Sequence, residues 1–153
     1  MSLTVRQMIG NKKDKRLLGL VSVSPETSVY DALLKLEEYK IGILAVVRNS
    51  ALLGLFGDRD NRKVTLKCRD PKETAIGEFM TPFSVVHWVT MDAEVEFCLE
   101  IMHQLGVNHL PVMEGEGEYA RPIGMISRKD IDREIVDRKI LRETALSTMN
   151  QAD

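Results

Sequence analysis

The chain of 153 residues has little of what several specialised protein classes require. It has two cysteines, Cys68 and Cys98, and their separation is no metal-ligand spacing. A reduced thiol pair is the expected reading. It has three histidines, His87, His103 and His109, in no pattern that supplies the three or four convergent ligands of a zinc site. The longest apolar runs, such as Ile41–Val47, are seven residues, against about 20 for a membrane-spanning helix. Neither sign of charge dominates: 21 basic and 23 acidic residues give a net charge of −2. That excludes nucleic-acid binding through overall charge. The N-terminus shows no charged-then-apolar signal pattern, so a cytoplasmic location is expected, or a mitochondrial one in a eukaryote. What remains is an ordinary globular composition, 44% apolar and 29% charged, with one domain's worth of length.

The chain repeats itself once. Residues 21–47 align with 87–113 at an offset of 66, pairing Val23 with Val89, Val29 with Val95, Leu33 with Leu99 and Val46 with Val112. Residues 54–60 align with 124–130 at an offset of 70, and the extra residues fall in the Gly- and Glu-rich loop Glu114–Pro122. Upstream, Val5–Met8 echoes Ile76–Phe79. Two copies are too few for a solenoid, so one internally two-fold unit is expected. The copies span 1–75, with an N-terminal lead-in, and 76–141, leaving 142–153 as a tail.

Each copy reads strand–helix–strand–strand–helix, an α+β class with helices on one side of a small sheet. The strands are expected at Leu20–Val23, Ile43–Val47 and Leu52–Phe56, and at Val85–Val89, His109–Met113 and Ile123–Ile126. In the first helix Val29, Ala32, Leu33 and Leu36 share one face, with Thr27 or Ser28 as N-cap. In the second, Val95, Cys98, Leu99 and Met102 form the stripe, with Asp92 as cap. Gly42 and Gly106 are the expected helix ends. The closing helices start near Arg59 and near Lys129.

The turn into each closing helix is the natural place for a ligand. In the second copy Ser127 can cap the helix, Arg128 and Lys129 add positive charge at its N-terminus, and Asp130 can accept two ribose hydroxyls. The first copy has Gly57-Asp58-Arg59-Asp60 there. In Arg59–Lys72, six basic residues face two acids. No aromatic interleaves to stack a base, so a solvated helix with phosphate contacts is the expected reading, not a nucleic-acid face. Lys12, Lys13, Lys15 and Arg16 read as a solvated linker.

Together these features resemble a pair of cystathionine-β-synthase-type (CBS) domains, a Bateman module. The second copy carries the resemblance in Glu78-Phe-Met-Thr81, Gly106-Val-Asn-His109-Leu-Pro-Val112 and Gly124-Met-Ile-Ser127-x-x-Asp130-Ile131. The first carries it in Ser28-Val-Tyr-Asp-Ala32, Ile41-Gly-Ile-Leu-Ala-Val46 and Gly54-Leu-Phe-Gly-Asp-Arg-Asp60. Segments 58–63 and 68–74 resemble a subgroup of small stand-alone CBS-pair proteins.

The resemblance implies a two-fold unit with two clefts that bind adenosyl ligands: AMP, ADP, ATP, NAD(H) or S-adenosylmethionine. It implies no catalysis, a homodimer built through the helices, and a regulated protein partner. By position, Asp60 and Asp130 would hold ribose hydroxyls, and Ser127 would contact ribose or phosphate. Val86, His87, Asn108, His109, Leu110 and Pro111 would line the second cleft. Val21, Ser22, Ile43, Leu44 and Ala45 would line the first. Arg59, Arg128 and Lys129 would meet phosphate. Gly57 stands where the family usually has Ser or Thr, so unequal clefts are expected. The competing reading is a ligand-free docking module. A small enzyme is a third, signalled by turnover that Ser127→Ala or Asp130→Ala abolishes.

Overall fold

The computed structural model describes residues 3–10 and 20–150, apart from the side chain of Glu118. The linker cations Lys12–Arg16 and the last three residues lie outside this range. The elements are α1 (Val5–Gly10), β1 (Ser22–Val23), α2 (Val29–Tyr39), β2 (Ile43–Arg48), β3 (Ala51–Gly57), α3 (Asp58–Leu66), β4 (Thr81–Pro82), α4 (Val95–Leu105), β5 (His109–Glu114), β6 (Arg121–Ser127) and α5 (Arg128–Asn150). Helix α5 runs without a break through 142–150, where a separate tail was expected.

Local chemistry explains most element ends. Ser28 caps α2, its hydroxyl accepting the Asp31 N–H at 3.0 Å. The hairpin β2–β3 turns on Asn49 and Ser50, both at positive φ, as a two-residue turn between twisted strands requires. Gly106 ends α4 at φ 65°, in the left-handed region that suits glycine. At α2 the expected Gly42 is not the cap; Lys40 takes the left-handed conformation two residues earlier. Gly42 instead makes room for a neighbour: a Cβ there would lie 3.2 Å from Cε1 of His109. Asp92 does not cap α4 either. The helix starts three residues later, after Glu94, without a side-chain cap. Its first N–H, on Val95, donates to the carbonyl of Leu3 at 2.7 Å, so the backbone of the lead-in segment supplies what a cap would have supplied. Asp92 pairs with Arg6.

One four-stranded sheet has the order β1-β2-β3-β4, and β5 and β6 form a second sheet. β1 is parallel to β2 and the other pairs are antiparallel. The repeat extends to its irregularities. Register shifts occur between Val46 and Val47 in β2 and between Val112 and Met113 in β5, 66 positions apart. The expected strand Val85–Val89 shrinks to a single parallel bridge from Val89 to Val112. Phe83–Val85 curls into a 3-10 turn instead.

The apolar residues form three cores. In the first, Val29, Ala32 and Leu36 of α2 pack with Leu44, Val46, Phe56 and Val64. In the second, Val95, Cys98 and Met102 of α4 pack with Leu110, Val112, Ile126 and Ile131. The third, Ala45, Leu52, Leu55, Met113 and Met125, lies between the two sheets and joins the repeats.

The lead-in segments are exchanged. Val5, Met8 and Ile9 belong to the second repeat's core, and Ile76 to the first's. Matching hydrogen bonds fix both. The Val5 N–H donates to Ala93 and the Val95 N–H to Leu3. Likewise the Ile76 N–H donates to Thr27 and the Val29 N–H to Thr74. Each repeat is thus completed by a segment that precedes the other one in sequence.

Candidate functional site

A cleft of about 480 Å³ opens where the two repeats meet, within the range of small-molecule sites. The first repeat contributes Gly42 and Ile43 from the start of β2, Leu55 and Gly57 from the end of β3, and Asp58, Arg59, Asp60 and Arg62 from α3. Thr81 of β4 adds to that wall. The second contributes Val85, Val86 and His87, the α4 terminus Leu105–Val107, and Asn108, His109 and Leu110. Aliphatic side chains therefore alternate with a small set of polar ones. The first turn of α3 and the last turn of α4 both reach this space, so a partly positive helix end and a partly negative one share it.

Asp60 organises the first-repeat wall. The residue is 3% exposed. One oxygen accepts the Gly57 N–H at 2.9 Å and the other accepts the Thr81 hydroxyl at 2.8 Å. Lys63 lies 3.8 Å away. Asp60 thus caps its own helix and ties it to β4. Gly57 has a steric reason to lack a side chain. A Cβ there would fall 2.7 Å from the Gly42 carbonyl oxygen, so the hydroxyl usual at this position is excluded by backbone.

Arg59 spans the cleft. Its guanidinium donates to the Gly106 carbonyl at 3.0 Å, at the end of α4, a favourable place for a cation. Arg62 is exposed and lines the same cleft.

His109 is half-buried and lines the second-repeat side of the cleft. Burial lowers its pKa from 6.5, and the charge of Asp130 opposes that shift. The unfolded chain therefore takes up this proton near pH 6.5 and the folded chain only below it. Stability from neutral His109 is complete above that pH and is lost as pH falls through the window. Replacing His109 with Gln is expected to flatten this part of the profile. Melting curves at about pH 7.5 and about pH 5.5 bracket the titration. Equal pH slopes in the two proteins would remove His109 as the source.

Of the residues singled out in sequence, the cleft gathers Ile43, Arg59, Asp60, Val86, His87, Asn108, His109 and Leu110. Their grouping differs from expectation. Asp60 shares its cleft with Val86, His87, Asn108 and His109, not with Val21 and Ser22. Leu44, Ala45 and Pro111 are buried in packing and do not line it. Val21 and Ser22 lie at β1, where the Val21 carbonyl accepts the Ala45 N–H. Ser127 caps α5, its hydroxyl accepting the Asp130 N–H at 3.0 Å. Arg128 and Lys129 are exposed, and the Arg128 N–H donates to the Asn108 carbonyl. The repeat offsets carry Asp60 onto Asp130 and Gly57 onto Ser127. Ser127 to Asp130 are thus the two-fold equivalents of Gly57 to Asp60, and they do not line this cleft. Thr81, Leu105 and Val107 were not anticipated. For Thr81 the signal was its place in the entry motif Glu78–Thr81.

Other candidates resolve into packing. Burial pushes the Cys98 thiol up to about 11, which removes its nucleophilic form at neutral pH. Several cations of the basic stretch are occupied within the chain. Arg69 bridges Glu78 at 2.7 Å and stacks over Phe79, and Lys72 lies over Tyr30. Among the described residues no three His, Cys, Asp or Glu side chains could hold a metal. No described helix is long and apolar enough to cross a membrane.

Known proteins share this organisation. The CBS domain family model matches residues 13–60 and 76–137. The mitochondrial CBS domain-containing protein CBSX3 of Arabidopsis thaliana is 31% identical over 115 residues. That match covers 72% of this chain and 54% of the relative, so the chain spans about half the relative's length. Among solved structures, a signal-transduction protein with CBS domains from Burkholderia ambifaria superposes with a TM-score of 0.78. It is 31% identical, over 88% of this chain and 95% of that one. A CBS domain protein from Pyrobaculum aerophilum, complexed with AMP, has a TM-score of 0.66 at 13% identity, over 84% and 89% of the two chains. With one stretch matched in each repeat and the fold shared over most of its length, the chain belongs to the CBS-domain family and carries a tandem pair.

Proposed function

We propose that this CBS pair is a non-catalytic regulatory module that binds an adenine nucleotide, AMP, ATP or NAD(H), in the cleft between its repeats. The observation that carries the reading is the two-sided wall. The aliphatic residues Val86, Leu105 and Val107 offer a slot for a base, and Arg59 and Arg62 offer charge for phosphate. The Pyrobaculum relative of the same fold holds AMP, which supports placing AMP first among the ligands to test. A phosphate that drew Arg59 from the Gly106 carbonyl would loosen a direct tie between the repeats. A ligand shifts a conformational equilibrium only through such differential contacts. The module would transmit that bias to a regulated protein.

One observation favours the second reading, a ligand-free docking module. In the structure both oxygens of Asp60 and the guanidinium of Arg59 already have protein partners.

A thermal-shift panel on ligand-stripped protein separates the two. At 100-fold over its dissociation constant a ligand adds about 2.7 kcal/mol, and at roughly 2–4 °C per kcal/mol that is a rise of about 5–11 °C. A selective rise with AMP, ADP, ATP, NAD(H) or S-adenosylmethionine, reduced in Arg62→Ala, supports the sensor. A flat panel at millimolar ligand favours the docking module.

A further inference from the structure

Outside the cleft, the distal part of α5 is the least accounted for. The helix has 23 residues, and only Ile131 is buried. Val136 and Ile140 are 54% and 55% exposed. Most helical stability in proteins comes from packing of an apolar face, not from propensity, and here that face has no cover among the described residues.

The sequence of this segment is self-complementary. Taken about Arg138, residues 133–143 form a palindrome with inverted charge. Each apolar residue mirrors an apolar one, and each acid mirrors a base: Arg133 mirrors Glu143 and Val136 mirrors Ile140. These four follow one another at spacings of three, four and three, so they share one helix face with the periodicity of a coiled-coil seam. At 100° per residue, Arg138 falls on the opposite side. It is held there by a 3.0 Å bond to Glu134 on its own helix. The one residue that a two-fold would set against itself is therefore off the seam.

We propose that this face of α5 docks antiparallel on the same face of a second copy of the chain. Val136 then packs on Ile140 of the other copy at both central layers, and Arg133 meets Glu143 at both ends. The contact is isologous, as a two-fold dimer requires. Charge selects the direction, because a parallel pairing would set Arg133 against Arg133 and Glu143 against Glu143. The patch is smaller than a standard interface, so the dimer is concentration-dependent. The contact is confined to the distal part of α5, and it is independent of what the cleft binds.

Sedimentation equilibrium of the full chain over a wide concentration range tests this. The unaltered protein is expected to associate. Val136→Asp with Ile140→Asp weakens the association at least about tenfold, or about 1.4 kcal/mol. Arg133→Glu alone and Glu143→Arg alone each weaken it, and the two together restore it, because the reversed charges again face each other. All four positions are exposed, so melting temperatures stay near that of the parent in dilute solution. A chain that remains monomeric, an association indifferent to these substitutions, or a double reversal as weak as the single ones overturns the proposal.

Discussion

Truncating Ile76 to alanine is expected to loosen the first repeat, although Ile76 opens the sequence of the second. The side chain is fully buried among first-repeat residues. An Ile→Ala change in such a core costs about 2–5 kcal/mol, or roughly 4–20 °C in melting temperature for a chain of this size. The two-fold counterpart is Met8→Ala. Met8 is 2% exposed and packs in the second core, so a similar loss is expected there. Hydrogen exchange resolved along the chain gives the decisive readout. Ile76→Ala should expose amides of α2, β2 and β3, and Met8→Ala those of α4, β5 and β6. Loosening of the second repeat by Ile76→Ala would contradict the exchange of lead-ins.

Removing the Asp60 carboxylate should produce the other large effect. Asp60→Ala deletes two charge-assisted hydrogen bonds in a buried setting, to the Gly57 N–H and the Thr81 hydroxyl. At about 1.5–3 kcal/mol each, the loss is about 3–6 kcal/mol. It falls on the junction of α3 with β4, so the cleft wall should loosen as stability drops. Asp60→Asn is the informative companion. Its amide oxygen can still accept the Gly57 N–H, and its NH₂ can donate to the Thr81 oxygen. Most of the stability should therefore return, on the order of 2 kcal/mol or more above the alanine variant. Thermal unfolding of the two variants side by side checks this. If alanine is no worse than asparagine, the hydrogen bonds of Asp60 are not what holds the junction.

Much of this was legible in the sequence, for identifiable reasons. The stripes Val29–Leu36 and Val95–Met102 announced α2 and α4 because burial on one face imposes the helical period. Ser28 and Ser127 announced helix starts because a short hydroxyl is well suited to the exposed N–H groups there. Asp92 misled because the cap it should have formed was replaced by the Leu3 carbonyl, 92 positions away from Val95 in sequence. The grouping of the cleft residues was hidden for a related reason. Repeat offsets identify equivalent positions, such as Asp60 and Asp130. A two-fold places equivalents on opposite sides, so true neighbours come from different parts of the two copies. Nothing in the spacing of Asp60 and His109 says that they line one cleft from its two sides.

The two-sided wall bears on the history of the chain. Half a duplicated unit, with its lead-in packed on another half, owns neither a complete core nor a complete cleft. An ancestor with one repeat could have had both only by pairing with a second copy of itself, and its two clefts would then have been identical. Joining the halves in one chain freed them to diverge. Gly57, pressed against the Gly42 carbonyl, and Ser127, capping its helix with a hydroxyl, are two answers at one ancestral position. A homodimer could not have given both.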